Sequence, residues 1–267
     1  MMIETFYGMH RMPFTTEDAT SPIFHTPTWD EVLSRLQYVV DHAGWAVVTG
    51  ECGVGKSTVI RHFCQPLDPA TSWVGYLADS KLTPWTLYPA LLAQWGFEPR
   101  HYGLDAKRAV HRELAQMRRR DRMRLVVVID EAHRLGYDLL DELRYLRNEA
   151  MDAHSLVAVV LVGQPELRDR LRLQAYTAIR QRITVQCPLI PWDRAEVEAY
   201  VTQQLAAAGV DHALFTAPAL DVLYQASGGL VRLVNQMSTQ SLWYGAQQGH
   251  HVLDDRMVLQ VIQGEGW

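Results

Sequence analysis

The sequence predicts a parallel α/β sheet followed by a smaller all-helical region, and three observations carry that expectation. Two apolar runs, LVVVIDE (125–131) and LVAVVLVG (156–163), are uninterrupted β-branched segments of the kind a sheet buries on both faces. Segments with helical periodicity alternate with such runs, the order expected of parallel strands joined by crossover helices. Beyond Pro191 the strand-like runs stop and only helical patterns follow.

The elements then fall in order. Thr28 and Glu31 have capping-box spacing, and Val32, Leu33, Leu36, Val39 and Val40 recur at helical intervals until Gly44. The strand WAVVT (45–49) comes next, then a glycine loop, then a helix carrying Val59, Ile60 and Phe63 that stops before Pro66. A second strand is expected over 73–78, followed by a helix with Thr83 as cap and Pro84 at its first position. The two apolar runs, separated by a helix over 138–150, are the third and fourth strands; 183–189 is the fifth. Asp193 with Glu196 caps another helix running toward Gly209, and further helices start near Thr216, Gly229 and Asp254. The expected division is 1–190, the sheet-bearing domain with a helical lead-in, and 191–267, a helical domain.

Composition narrows the function classes. The 267 residues carry 25 Lys+Arg against 30 Asp+Glu, a formal charge of −5, with 48% hydrophobic and 21% charged residues. That describes a globular chain and excludes gross disorder and a uniformly basic nucleic-acid condenser. Cys52, Cys64 and Cys187 are scattered and odd in number, which suggests neither a disulfide framework nor a zinc site and fits a reducing, cytoplasmic location. The opening MMIETFYGMHRMPF lacks a signal-peptide pattern, and no apolar run reaches membrane-spanning length, so no membrane partner is expected.

The chemistry is concentrated after the first strand. Gly50-Glu51-Cys52-Gly53-Val54-Gly55-Lys56-Ser57, followed by Thr58, satisfies G-x-x-x-x-G-K-[ST]. In that pattern glycines let backbone N–H groups wrap phosphate oxygens at a helix N-terminus. Lys56 would reach the β and γ phosphates of ATP, and Ser57 would offer its hydroxyl to Mg²⁺. Asp130 and Glu131 close the third strand, so both carboxylates emerge at the carboxyl edge of the sheet, where open α/β sheets bind ligands. Asp130 would hold Mg²⁺ through water, and Glu131 would polarise the attacking water. With Ala132 and His133 they spell DEAH, but one nucleotide-binding domain plus a small helical one is too short for the two-domain helicases named for that tetrapeptide.

Further motifs carry a family resemblance over nearly the whole chain. Phe6-Tyr7-Gly8-Met9 with Pro13-Phe14, Val162-Gly163-Gln164-Pro165-Glu166-Leu167, Ile179-Arg180-Gln181-Arg182-Ile183, and Ser227-Gly228-Gly229 followed by Arg232 and Asn235 complete the set. Together with the phosphate loop they resemble the AAA+ ATPases of the ExeA-like group, which are related to the transposition regulators TnsC, TniB and IstB. The resemblance implies a P-loop NTPase domain of three αβα layers around a five-stranded parallel sheet, followed by a helical lid. It implies that Gln164 is a polar sensor beside the γ-phosphate and that Arg232 is a lid arginine sensing nucleotide. Arg182, or less favourably Arg180, would be the arginine finger supplied to a neighbouring subunit's ATP in a homo-oligomeric ring or filament.

Two basic features point toward DNA. The run Asp79-Ser80-Lys81-Leu82-Thr83-Pro84 resembles the DNA-facing loop of transposition ATPases, which would bring Lys81 and Thr83 to duplex phosphates. Lys107, Arg108, Arg112, Arg118, Arg119, Arg120, Arg122 and Arg124 face only Asp105, Glu113 and Asp121, a local +5 that an oligomer would align into a cationic path. A solvated helix face is the plainer account of the same residues. Trp85, Tyr88 and Trp95 could stack on bases, but they share helical spacing with Leu87, Leu91 and Leu92 and are expected in the core. The favoured expectation is an ATPase that assembles on duplex DNA and assists an integrase-like transposase. The alternatives are a secretion-pathway ATPase acting on protein partners, whose membrane and wall-binding parts this length does not accommodate, and a helicase loader.

Overall fold

Five strands form one sheet in the order β2-β3-β4-β1-β5, all paired in parallel. They are β1 Trp45–Thr49, β2 Ser72–Leu77, β3 Arg124–Ile129, β4 Val157–Gly163 and β5 Ile183–Pro188. The structure is a computed structural model and describes residues 3–15, 23–79, 81–98, 103–117, 123–146 and 157–265. Place in the sheet explains sequence. The three inner strands are buried almost throughout, and each reads as a continuous apolar run. The edge strands keep one side toward solvent, where Tyr76 of β2 and Thr184 and Gln186 of β5 are exposed.

Twelve α-helices accompany the sheet among the described residues: α1 Ile3–Tyr7, α2 Pro27–Asp41, α3 Lys56–Cys64, α4 Pro84–Gln94, α5 Gly103–Met117, α6 Tyr137–Tyr145, α7 Pro165–Arg172, α8 Thr177–Arg180, α9 Arg194–Ala207, α10 Ala217–Ser227, α11 Val231–Gln248 and α12 Asp255–Glu265. The expected caps at Thr83 and Asp193 are both present as reciprocal capping boxes, with Thr86 and Glu196 closing them. Helix α2 begins one residue before its expected cap. Pro27, whose fixed φ suits a first helical position, opens it and leaves Thr28 inside the first turn. The stretch expected as a helix over 138–150 is helical through Tyr145, and its last residues lie outside the described ones. No described helix is long and apolar enough to cross a membrane.

The chain divides into two compact units. One comprises Thr28–Glu51 and Lys56–Leu189; its core is built on Trp45, Leu87, Tyr88, Leu91, Leu125, Val127, Leu139 and Leu161, all at most 1% exposed. Fully burying one such leucine contributes about 2–3 kcal/mol. The other comprises Met1–Pro27, Cys52–Gly55 and Ile190–Trp267. Ile3, Tyr7, Met9 and Phe14 sit in the core of this helical unit with Val197, Leu205, Leu214, Leu223, Met237 and Leu242. The N-terminal segment, expected as a lead-in to the sheet, is therefore grouped with the C-terminal helices. The Tyr7 hydroxyl donates to the carbonyls of Leu242 and His250 at 3.2 and 3.1 Å, and burial pushes the phenol up to about 12. Arg11 Nε donates to Ala207 O at 3.0 Å, and the His10 N–H to Ala208 O at 3.0 Å.

Candidate nucleotide site and basic surface

The order β2-β3-β4-β1-β5 places β1 between strands that follow it in the chain, so the loop leaving β1 opens at the point where the winding of the sheet reverses. Gly50 is tied there by its N–H to Gly163 O, 3.2 Å away at the end of β4. Gly53 and Gly55 have φ of +88° and +99°, a region that costs an L side chain strain and that only glycine enters freely. Val54 is buried, while Glu51 and Cys52 are exposed. Lys56 opens α3 and is only 8% exposed; its ammonium donates to the carbonyls of Gly50 and Glu51 at 2.8 Å each. A desolvated ammonium curled into a glycine loop at a helix N-terminus fits a polyphosphate.

Asp130 closes β3 and is 7% exposed. Its Oδ1 accepts the Glu131 N–H at 2.8 Å, and its Oδ2 accepts both the Ser57 hydroxyl at 3.3 Å and the Tyr76 hydroxyl at 2.6 Å. Ser57, by donating its proton to a carboxylate, keeps its oxygen lone pairs for a cation, which fits an Mg²⁺ site built from Ser57 and Asp130. Thr58 follows on the exposed side of α3.

Glu131 has φ +53°, a left-handed conformation that costs a residue other than glycine about 1–3 kcal/mol and clusters at functional sites. The turn aims its carboxylate at His133, whose Nε2 lies 3.5 Å from Glu131 Oε2. The other ring nitrogen, Nδ1, lies 3.4 Å from the backbone N–H of Gln164. An N–H facing Nδ1 makes that atom the acceptor and leaves the imidazole proton on Nε2, toward Glu131. His133 therefore stands between the expected base and the expected sensor. Arg170 of α7 fixes this segment by donating to the carbonyls of His133 and Leu135, the latter at 2.7 Å, and to the hydroxyl of Tyr176 at 2.8 Å.

The remaining expected site residues are placed as follows. Gln164 caps α7 and is half-buried. Arg180 ends α8, exposed, with a guanidinium N–H on Arg172 O at 2.8 Å; Arg182 follows two residues on, half-buried, just before β5. In the helical unit the Arg232 N–H donates to Gly53 O at 3.1 Å, and its guanidinium lies 3.3 Å from Cys52 Sγ, so this arginine rests on the loop tip. Sequence reasoning had no signal for the parts played by Tyr76 and Arg170: each acts through a contact with a strand or turn distant in the chain.

The basic surface differs from its expected form. Arg124 opens β3 instead of extending a basic helix, and its guanidinium donates to the carbonyls of Val40 and Asp41 at 3.0 and 2.6 Å. Arg118, Arg119, Arg120 and Arg122 lie outside the described residues. Lys107 is paired with Glu142 at 2.6 Å and lies over the rings of Tyr88 and Tyr145. Arg108 and Arg112 are exposed one helical turn apart on α5, with only a long 3.6 Å pair from Arg108 to Asp105. Lys81 is exposed, its N–H held by the Asp79 carboxylate at 2.8 Å, and Thr83 uses its hydroxyl to cap α4. Tyr88 is buried and Trp95 packs against the core as expected, but Trp85 is 63% exposed. The reason is position: Trp85 is the second residue of α4, where its ring covers Gly103 at the start of α5, and a Cβ on Gly103 would overlap that ring. The N-termini of α4 and α5 thus abut, with Lys81, Trp85, Leu104 and Arg108 exposed around them.

Comparison with known proteins agrees with this geometry. Residues 39–171 match the family model described as an AAA domain. The chain is 33% identical over 259 residues to general secretion pathway protein A of Aeromonas hydrophila, covering 94% of this chain and 46% of that protein, so it spans less than half the length of this relative. Among solved structures, Cdc6p of Pyrobaculum aerophilum superposes with a TM-score of 0.73 at 16% identity, covering 94% of this chain and 70% of that one. The Drosophila ORC bound to DNA gives 0.70 at 12% identity over 97% and 65% of the two chains. The Aeropyrum pernix ORC1 protein in complex with DNA gives 0.65 at 15% identity over 94% and 68%. At these identities the superpositions establish a shared fold.

Proposed function

We propose, from the premise that this chain carries an AAA domain on the AAA+ P-loop NTPase fold and is similar to the ExeA-like group, that it is an Mg²⁺-dependent ATPase whose ATP-bound form assembles on duplex DNA. The observation that carries the ATPase reading is the arrangement at the carboxyl ends of β1, β3 and β4: Lys56 folded into its loop, Ser57 on Asp130, and the Glu131 carboxylate and the Gln164 backbone N–H both facing His133. Lys56 and the loop N–H groups bind the phosphates, Glu131 takes the proton of the attacking water, and Gln164 holds the γ-phosphate side of the site. Mg²⁺, when bound to Ser57 and Asp130, neutralises phosphate charge. Arg182, with Arg180 as the second choice, is the finger given to a neighbouring copy, which makes hydrolysis depend on assembly.

The DNA part rests on the abutting starts of α4 and α5. Two helix N-termini bring partial positive charge to one place, and Lys81 and Arg108 add full charges beside the exposed Trp85. Lys107 is neutralised by Glu142 and drops out of the path. Structural neighbours described as bound to DNA support the same reading. An integrase-like transposase is the proposed partner, on the likeness of 79–84 to transposition ATPases. The test is duplex binding by anisotropy: it should need ATP, weaken steeply with salt and vanish in Lys56→Ala. ATP-independent or salt-insensitive binding would refute the DNA reading.

The secretion relative favours a second reading, in which the same ATPase acts on protein partners of an export system. Turnover that duplex leaves unchanged, together with binding to purified secretion components, would favour it over the first.

A further inference from the structure

We infer that Tyr76 is a positioning residue for the metal site, fixing the carboxylate of Asp130 so that Asp130 and Ser57 together set the affinity for Mg²⁺. The inference rests on the ATPase reading above and adds a residue to it. Asp130 is buried, and the torsion that orients a carboxylate is intrinsically broad. Its Oδ1 is held by one backbone N–H, while Oδ2 depends on side chains: the Ser57 hydroxyl at 3.3 Å and the Tyr76 hydroxyl at 2.6 Å. The tyrosine bond is the short one, a neutral donor on a charged acceptor, and such bonds are about twice as strong as neutral pairs.

Among the described residues the Tyr76 hydroxyl bonds Asp130. The residue sits on edge strand β2, and its ring walls a cleft of about 430 Å³ with Ser57, Ile60, Cys64 and Val74. With Tyr76 saturating one side of Oδ2, Ser57 needs to supply only its proton, and its oxygen remains available to a cation. Without Tyr76, the long Ser57 bond is what restrains Oδ2 among the described residues.

Binding of a fluorescent ATP analogue, in EDTA and across an Mg²⁺ titration, tests this. Tyr76→Phe keeps the ring and removes the donor. It should leave affinity in EDTA within about twofold and raise the Mg²⁺ midpoint about tenfold, the size expected of one hydrogen bond to a charged group. Tyr76→Leu should shift the midpoint equally, because the hydroxyl and not the ring matters. A wild-type Mg²⁺ midpoint preserved in Tyr76→Phe overturns the inference while leaving the ATPase reading intact. A shift in Tyr76→Leu alone overturns it as well, by assigning the effect to the ring. Wild-type protein that binds no nucleotide, and so matches Lys56→Ala, overturns both.

Discussion

The nucleotide site and the α4–α5 surface are built on opposite principles. At the first, polar groups hold one another: Lys56 on two carbonyls, Ser57 and Tyr76 on Asp130, His133 between Glu131 and Gln164, with Arg170 clamping the turn. At the second, Lys81, Trp85, Leu104 and Arg108 project from abutting helix starts with few partners holding them. Preorganised groups suit a small ligand and a charged transition state, where reorganisation is costly. Exposed cations and an aromatic suit an extended polyanion, to which each contact adds a modest increment.

The contrast can be broken by substitution, beginning with the largest effect. Glu131→Gln should lower steady-state ATP turnover by about 100-fold or more while leaving nucleotide binding intact, and it should prolong the ATP-bound assembly in a sedimentation assay. Unchanged turnover would remove Glu131 as the base. Lys56→Ala should weaken nucleotide binding by about 100-fold, measured by calorimetry, because a desolvated charge-assisted contact is lost. At the α4–α5 surface the changes should be smaller. Trp85→Ala should weaken duplex binding about tenfold, and Lys81→Ala should lower the slope of log affinity against log salt by about 1. Lys107→Ala should leave that slope unaltered and cost about 1 kcal/mol of folding stability, since its charge serves Glu142.

The smallest predicted effect concerns thiols. Burial pushes Cys64 and Cys187 up to about 11 from an ordinary 9.0. The folded chain then keeps protons that the unfolded chain releases, so this contribution is complete below pH 9 and is lost as pH rises toward 11. The melting temperature should fall across that window, and Cys64→Ala should flatten the fall. Cys52, exposed on the phosphate loop, should be the first thiol alkylated, and ATP should protect it.

The two regions also differ in how far they were legible beforehand. Gly50 to Ser57, Asp130 and Glu131 were readable because glycine spacing, strand ends and carboxylates are local signals with a direct mechanical meaning. The strand runs were readable for a similar reason, since burial on both faces removes alternation. Tyr76 was not readable: a tyrosine on an edge strand carries no mark of a bond 54 residues away to Asp130. Trp85 was misjudged because helical spacing assigns a residue to a face, yet at the second position of α4 the face ends and the ring turns out over Gly103. Arg124 was misassigned because a run of charge has no periodicity with which to tell a helix from the strand that follows it.

The bonds from Tyr7 to the carbonyls of Leu242 and His250 join residues 235 and 243 positions apart. Their consequence concerns synthesis. The sheet-bearing unit has all of its residues once Leu189 has emerged from the ribosome, whereas Ile3, Tyr7, Met9 and Phe14 must wait for Leu242 before their core can close. Loop closure over such separations slows folding and leaves apolar surface uncovered in the interval. Residues 3–14 are thus made well before their core can close, and a nascent chain stalled between these points should present Tyr7 and Phe14 to chaperones.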